Sequence, residues 1–238
     1  GYQALNANTT GTDNAAFGQL SLLNNITGSY NTTIGTRSMY NNVYGNYNTA
    51  VGWNSSTNTG NGGTSSSSGG NNNTSLGYRA LYSNTLGNDN TAVGYNALQA
   101  NQTGTQNTTI GSSADVASIA LNNATAIGYG AVVSSSNTIQ LGNTYVSNVI
   151  TSGTVTAVGF ISTSDKRLKT NIVPLREALS TIMQLNPVSY DKKNSLESNT
   201  YTRKENGFIA QEIKNVLPLI VKEGDTKDKL LSVDYISI

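Results

Sequence analysis

One glycine recurs along the first half of this chain with a period that only a stack of equal coils satisfies. It stands at Gly1, Gly18, Gly35, Gly52, Gly77, Gly94, Gly111 and Gly128. Every interval is 17 residues except one of 25, which spans the stretch TGNGGTSSSSGGNNN at 59–73. A further glycine, Gly142, follows after 14. A second series keeps the same phase at Gly11, Gly28, Gly45, Gly62, Gly87 and Gly104. Self-similarity at a short fixed period marks a solenoid, whose units bury little alone and must stack on their neighbours.

The residues around the marker glycine are also set by type. The position before it is always large and apolar, from Phe17 and Ile34 through Ile127 and Leu141. Three positions after it come only Ala or Ser, then usually a large side chain such as Leu22, Met39 or Leu98. Asparagine stands four before it at Asn14, Asn31, Asn48, Asn73, Asn90 and Asn107. In NTAVG (90–94), period-two alternation puts Thr91 and Val93 on one face. Gly and Asn supply the left-handed conformations of tight corners. Each unit therefore reads as two short extended segments and two turns, stacked into a parallel β-solenoid, or β-roll, over 1–150. Eight to nine coils at the usual strand spacing make a rod about 40 Å long. Its core is thin, so packing against identical neighbours is expected. Tyr2, Trp53, Tyr78, Tyr95 and Tyr129 follow the marker glycine and read as surface cover or an inter-chain seam, with a sugar-contacting row as the second reading. The 59–73 insert reads as an excursion, with receptor contact as the second reading.

Charge divides the chain. Residues 1–150 carry only Asp13, Arg37, Arg79, Asp89 and Asp115, and the other 22 charged side chains lie in 151–238. The expected organisation is a rod over 1–150, a linker over 151–163 and a small α+β domain over 164–238. Net charge is +1, which gives no field for nucleic acid. No apolar run is long enough to span a membrane, so no membrane partner is expected. The absence of Cys and His excludes thiol chemistry, disulfides and the commonest zinc sites, and no cofactor or metal is expected. It also removes the usual general base. Paired carboxylates for a glycosidase are missing from the rod. The sequence opens inside a repeat, at GYQAL, and is expected to be a piece of a longer chain.

In the charged part, Pro174 is expected to open a helix with Leu175, Leu179, Ile182 and Met183 on one face, ended by Pro187. VSYDKK (188–193) reads as a strand, 194–207 as a turn-rich connection that is partly strand, and AQEIKNVLPLIV (210–221) as a short helix stopped by Pro218 and then a strand. EGDTKD (223–228) reads as a hairpin tip and KLLSVDYISI (229–238) as the returning strand.

Two stretches resemble known families. NATAIGYGAVVSSSNTIQLGN (123–143) is similar to the head repeats of trimeric autotransporter adhesins, which implies a left-handed parallel β-roll. That family's spacing is 14, so the 17-residue units depart from it. SDKRLKTNI (164–172), LNPVSYD (185–191), GFIAQEI (207–213) and LSVDYISI (231–238) resemble, in order, the intramolecular chaperone domain of endosialidase-type phage tail spikes and fibres. A similar domain occurs in myelin regulatory factor. The resemblance implies a domain that trimerises a fibre and then cuts itself off through a Ser–Lys dyad. It assigns Ser164 as nucleophile, Lys169 as general base and the Thr163–Ser164 bond as the cleavage site. Resembling domains continue past the last block into a long helix, so 164–238 is expected to be truncated.

That chemistry is self-consistent. A lysine serves as base only when neutral, a state that burial and nearby positive charge favour, and Lys166 and Arg167 supply such charge. Asp165 is read as holding Arg167 or capping the turn. Gln211 and Glu212 are read first as packing residues of a trimer interface and second as groups positioning the scissile carbonyl. The plain alternative is a Ser-Asp turn with a solvated Lys169. The reading adopted is a homotrimeric tail fibre or tail-spike segment, in a virion or a comparable extracellular surface fibre, with a single-turnover serine autoprotease at its end. Its outside partner would be a host-surface glycan or protein receptor. The rival is a cell-surface adhesin head with a non-cleaving trimerisation cap.

Overall fold

The computed structural model describes residues 1–59, 70–151, 155–158, 163–193, 195–224 and 228–235. It divides into two compact units, Gly1–Gly153 and Thr154–Ile238. Most of the 59–73 insert, part of the 151–163 linker, residues 225–227 of the stretch expected to be a hairpin tip (223–228) and the last three residues lie outside the described residues.

The first unit is a mainly parallel β-solenoid. Its strands are β1 (Ala15–Phe17), β2 (Thr32–Ile34), β3 (Thr49–Val51), β4 (Thr74–Leu76), β5 (Thr91–Val93), β6 (Thr108–Ile110), β7 (Asp115–Val116), β8 (Thr125–Ile127), β9 (Val132–Val133) and β10 (Ile139–Leu141). One eight-stranded sheet runs β1-β2-β3-β4-β5-β6-β8-β10, every pair parallel. Its register couples Ala15 to Thr32, Thr49, Thr74, Thr91, Thr108, Thr125 and Ile139 in succession. These steps repeat the glycine intervals, including the long and the short one. The marker glycines from Gly1 to Gly111 are required by the stack: a Cβ on Gly77, at φ +138°, would collide with the carbonyl of Gly94 one coil on.

The second side of the coil differs from the reading of two extended segments per unit. Among the described residues a second strand forms only in β7 and β9, which pair with each other. Elsewhere that side is a run of turns in which the second and fourth residues after the marker glycine take left-handed φ, as at Arg37 and Met39 or Arg79 and Leu81. Leu22 N–H donates to Ser38 O one coil ahead, whereas Leu20 N–H donates to Tyr2 O one coil back, so the turns stack into their own ladder. Left-handed φ is costly for β-branched side chains. None occupies the fourth position until Val132, the first residue of β9.

In β2 to β6 and β8 the middle residue points inward, and it is small: Thr33, Ala50, Ser75, Ala92, Thr109 and Ala126 are buried. Leu22, Met39, Leu81 and Leu98 are the largest side chains of the interior and have no exposure. Two asparagine ladders run through it. Asn31 donates to Asn14 Oδ1 from both its backbone and its side-chain nitrogen, at 3.0 Å each, and to Gly45 O at 2.8 Å. The same contacts repeat through Asn48, Asn73 and Asn90, and the backbone N–H of Asn107 continues the series onto Asn90 Oδ1 at 3.0 Å. A second ladder joins Asn8, Asn25 and Asn42, and resumes at Asn84 and Asn101. Gly70, rather than Gly62, lies beneath Gly45 in the stack: Gly70 O accepts from Asn48 Nδ2 at 2.7 Å. The extra residues of the long coil thus precede Gly70, and Gly62 is outside the described residues.

Within the aromatic row, Trp53, Tyr78 and Tyr95 stack on one another, and Tyr2 and Tyr129 are exposed. Trp53 stacks on Tyr78 at 5.0 Å and Tyr78 on Tyr95 at 5.1 Å between ring centroids, so ring faces are spent on neighbouring coils.

Candidate functional site

The charged unit has few elements and a small interior. Its helices and strands are α1 (Ala178–Ile182), β11 (Val188–Lys192), β12 (Arg203–Gly207), α2 (Ala210–Val216), β13 (Val221–Glu223) and β14 (Leu231–Val233). β11 and β12 form one antiparallel pair, β13 and β14 another. Helix α1 begins four residues later than Pro174 suggests, because Glu177 takes a left-handed φ of 60° and interrupts the helical path. Among the described residues of this unit, only Ile213 and Ile220 are buried hydrophobics. The face formed by Leu175, Leu179, Ile182 and Met183 stands in solvent, Leu175 at 87% and Leu179 at 75% exposure.

The sequence between Ser164 and Lys169 folds as a single 3-10 turn over Lys166–Leu168. Asp165 is its N-cap: its Oδ1 accepts from Arg167 N–H at 2.8 Å. The same carboxylate receives Arg167 Nε at 3.0 Å on Oδ1 and Nη2 at 2.8 Å on Oδ2. Arg167 therefore holds the Asp165 carboxyl below the ordinary carboxylate range, through its side chain first and its backbone N–H second. The turn closes with Leu168 N–H on Asp165 O at 3.1 Å and Lys169 N–H on Lys166 O at 3.0 Å. At its two ends, Lys169 Nζ and Ser164 Oγ meet at 2.6 Å. Both residues are exposed in the single chain.

Arg167, read from the sequence both as a positive charge near Lys169 and as a partner held by Asp165, is paired with Asp165. Lys166 is exposed at the start of the turn. Gln211 and Glu212 lie on the first turn of α2, where Glu212 Oε2 accepts from Asn186 Nδ2 at 3.2 Å. No described hydrogen bond or ion pair links either of them to Ser164 or Lys169. A hydroxyl and an amine at this separation, with no competing partner among the described residues, have the composition of a nucleophile and its base.

A stacked parallel solenoid is thus followed along the chain by a small, core-poor unit that carries this serine–lysine contact. Residues 164–222 match the Peptidase_S74 family model, described as chaperone of endosialidase. The chain is also similar to the long tail fiber protein Gp37 of Enterobacteria phage K3, 40% identical over 72 residues, which is 29% of this chain and 6% of that protein. Gp37 of Enterobacteria phage T2 is likewise 40% identical over 72 residues, 29% of this chain and 5% of its own length. The chain thus spans a small fraction of the length of these relatives.

The second asparagine ladder and the left-handed positions are the residues least visible from sequence, whereas the first ladder coincides with the asparagine of the repeat. The second ladder carries a usable signal, the recurrence of Asn8, Asn25 and Asn42 at the coil period.

Proposed function

We propose that this chain is a segment of a homotrimeric phage tail fibre or tail spike whose C-terminal domain aligns three copies and then releases itself by cutting between Thr163 and Ser164. The 2.6 Å contact between Lys169 Nζ and Ser164 Oγ, inside the segment that matches the chaperone family, is the observation that carries the cleavage. Neutral Lys169 takes the Ser164 hydroxyl proton as Oγ attacks the Thr163 carbonyl carbon. The Thr163–Ser164 C–N bond breaks, and its nitrogen leaves with a proton as the free amine of Ser164. Water then hydrolyses the ester between Thr163 and Oγ, giving a Thr163 carboxylate and restoring the hydroxyl. Each chain reacts once.

Assembly is supported by what stands uncovered. Phe17, Ile34, Leu76, Ile110, Ile127 and Leu141 form an exposed apolar row along the outside of the eight-stranded sheet. Covering one such half-exposed side chain stabilises by about 1 kcal/mol, and the gain repeats on every coil. A periodic row is matched in spacing by an identical row, which favours other copies as its cover. The α1 face of the C-terminal unit makes the same demand. The similarity to long tail fibre proteins places the segment in a virion tail under this reading.

Freshly folded protein tests the cleavage. Intact-mass measurement should find a fragment beginning at Ser164, and Ser164→Ala or Lys169→Ala should abolish it. The same fragment from both variants rejects the dyad. Intact wild-type chains that bind cells would favour the adhesin alternative.

A further inference from the structure

Ser164 and Lys169 are five positions apart, and in an extended chain that interval spans about 17 Å. Bringing Nζ onto Oγ requires the backbone to fold back within those five residues. The only device available is the turn at Lys166–Leu168. One turn of helix has no stability of its own, since nucleation costs more than its few hydrogen bonds return. Something local must hold it closed.

We propose that Asp165, clamped by Arg167, is the positioning residue of the cleavage reaction: it caps the turn that presents Lys169 to Ser164. This rests on the autoproteolytic reading above and adds a residue that acts through the dyad. Asp165 Oδ1 takes the Arg167 backbone N–H, which would otherwise be unpaired at the start of the turn. The Arg167 guanidinium grips both oxygens of the same carboxylate and fixes its rotamer in the capping geometry. Every described side-chain contact of Asp165 lies within the turn. None reaches α1, α2 or the two strand pairs, so losing it should loosen the turn and leave the unit folded. An exposed ion pair is worth little by itself. Its value here is to keep a cap aimed.

The test uses the full chain as wild type, Asp165→Ala, Asp165→Asn and Arg167→Ala. The fragment beginning at Ser164 is followed in time by denaturing gel and intact mass across a range of pH. Asp165→Ala should cut about tenfold more slowly at every pH, with the shape of the pH profile unchanged. Asp165→Asn retains an oxygen acceptor for the Arg167 N–H and should recover to within about threefold of wild type. Arg167→Ala should fall between the two. In an uncut Ser164→Ala background, Asp165→Ala should leave sedimentation and thermal unfolding unchanged. Wild-type cutting by Asp165→Ala, an Asn variant no faster than the Ala variant, an altered pH profile, or loss of assembly in the uncut background each overturns the positioning role while the dyad stands. A wild-type chain that is never cut overturns the autoproteolytic reading, and this inference with it.

Discussion

Single residues set the tolerances of this molecule. A marker glycine sits at positive φ with the next coil's carbonyl where a Cβ would be. Gly77→Ala should therefore cost about 2–3 kcal/mol, read as a lowered unfolding midpoint. The asparagine ladder is less forgiving than its polarity suggests. Asn90 is fully buried, donates to Asn73 Oδ1 and Gly104 O, and accepts from Asn107 N–H. Asn90→Ala strands those groups without water and should destabilise by about 2–4 kcal/mol in denaturant unfolding. Asp115 shows the opposite sign. Burial pushes its carboxyl above the ordinary value despite N–H donors from Val116 and Ala100. Its folded form thus binds a proton at a pH where the unfolded form has lost it. Stability then falls as pH rises from the unfolded carboxylate value, near 3.9, through the raised folded value. Asp115→Asn retains an oxygen acceptor and removes the charge, so its melting temperature should exceed wild type at about pH 7 and converge with it at about pH 3.

At the scale of elements, strand and turn divide each coil by steric rule. Left-handed positions carry no β-branched residue, and where the fourth position leaves the left-handed region, at Asp115 and Val132, the turn gives way to a strand. That rule was open to inspection in the sequence but is hidden by glycine, which dominates the visible pattern. Helix α1 makes the other point. Its apolar stripe was legible from the spacing of Leu175, Leu179, Ile182 and Met183, yet its start was not, because the left-handed Glu177 has no local signature. Leu175 and Ile182 of the stripe line a cleft with Leu217 and Ile220, whereas Leu179 and Met183 stand largely exposed in the single chain. Under the proposed function, Leu179→Glu should leave the unit's own fold intact and abolish association, measured by sedimentation. A folded, still trimeric Leu179→Glu protein would deny this face its role in assembly.

For the whole molecule, the question is how repetitive chains find one register. Equal coils invite slippage by a unit, since a shifted pairing buries nearly the same surface. The 25-residue coil before β4 and the 14-residue step to β10 break that equivalence. Under the proposed function the C-terminal unit supplies the remaining alignment, and the exposed apolar row is where the chains meet. A variant carrying Ile34→Lys, Leu76→Lys and Ile110→Lys should stay folded as a solenoid by circular dichroism but fail to assemble. Each change places a charge on an outward position that the single coil does not pack.

The sequence alone determined the coil: its length, its register and the place of its irregular step. Those follow from sterics between neighbours in the stack, where only glycine fits and its spacing is countable. Tertiary structure decided which way each strand faces. Alternation says that Thr91 and Val93 share a side, but not that the side is outward. The space between stacked coils settles that, because it admits Ala92 and its small equivalents and leaves the aliphatic row uncovered. Tertiary structure also substituted Gly70 for Gly62 and closed the turn that sets Lys169 on Ser164. Both depend on how the chain is folded back across a gap, and spacing along a sequence carries no such information.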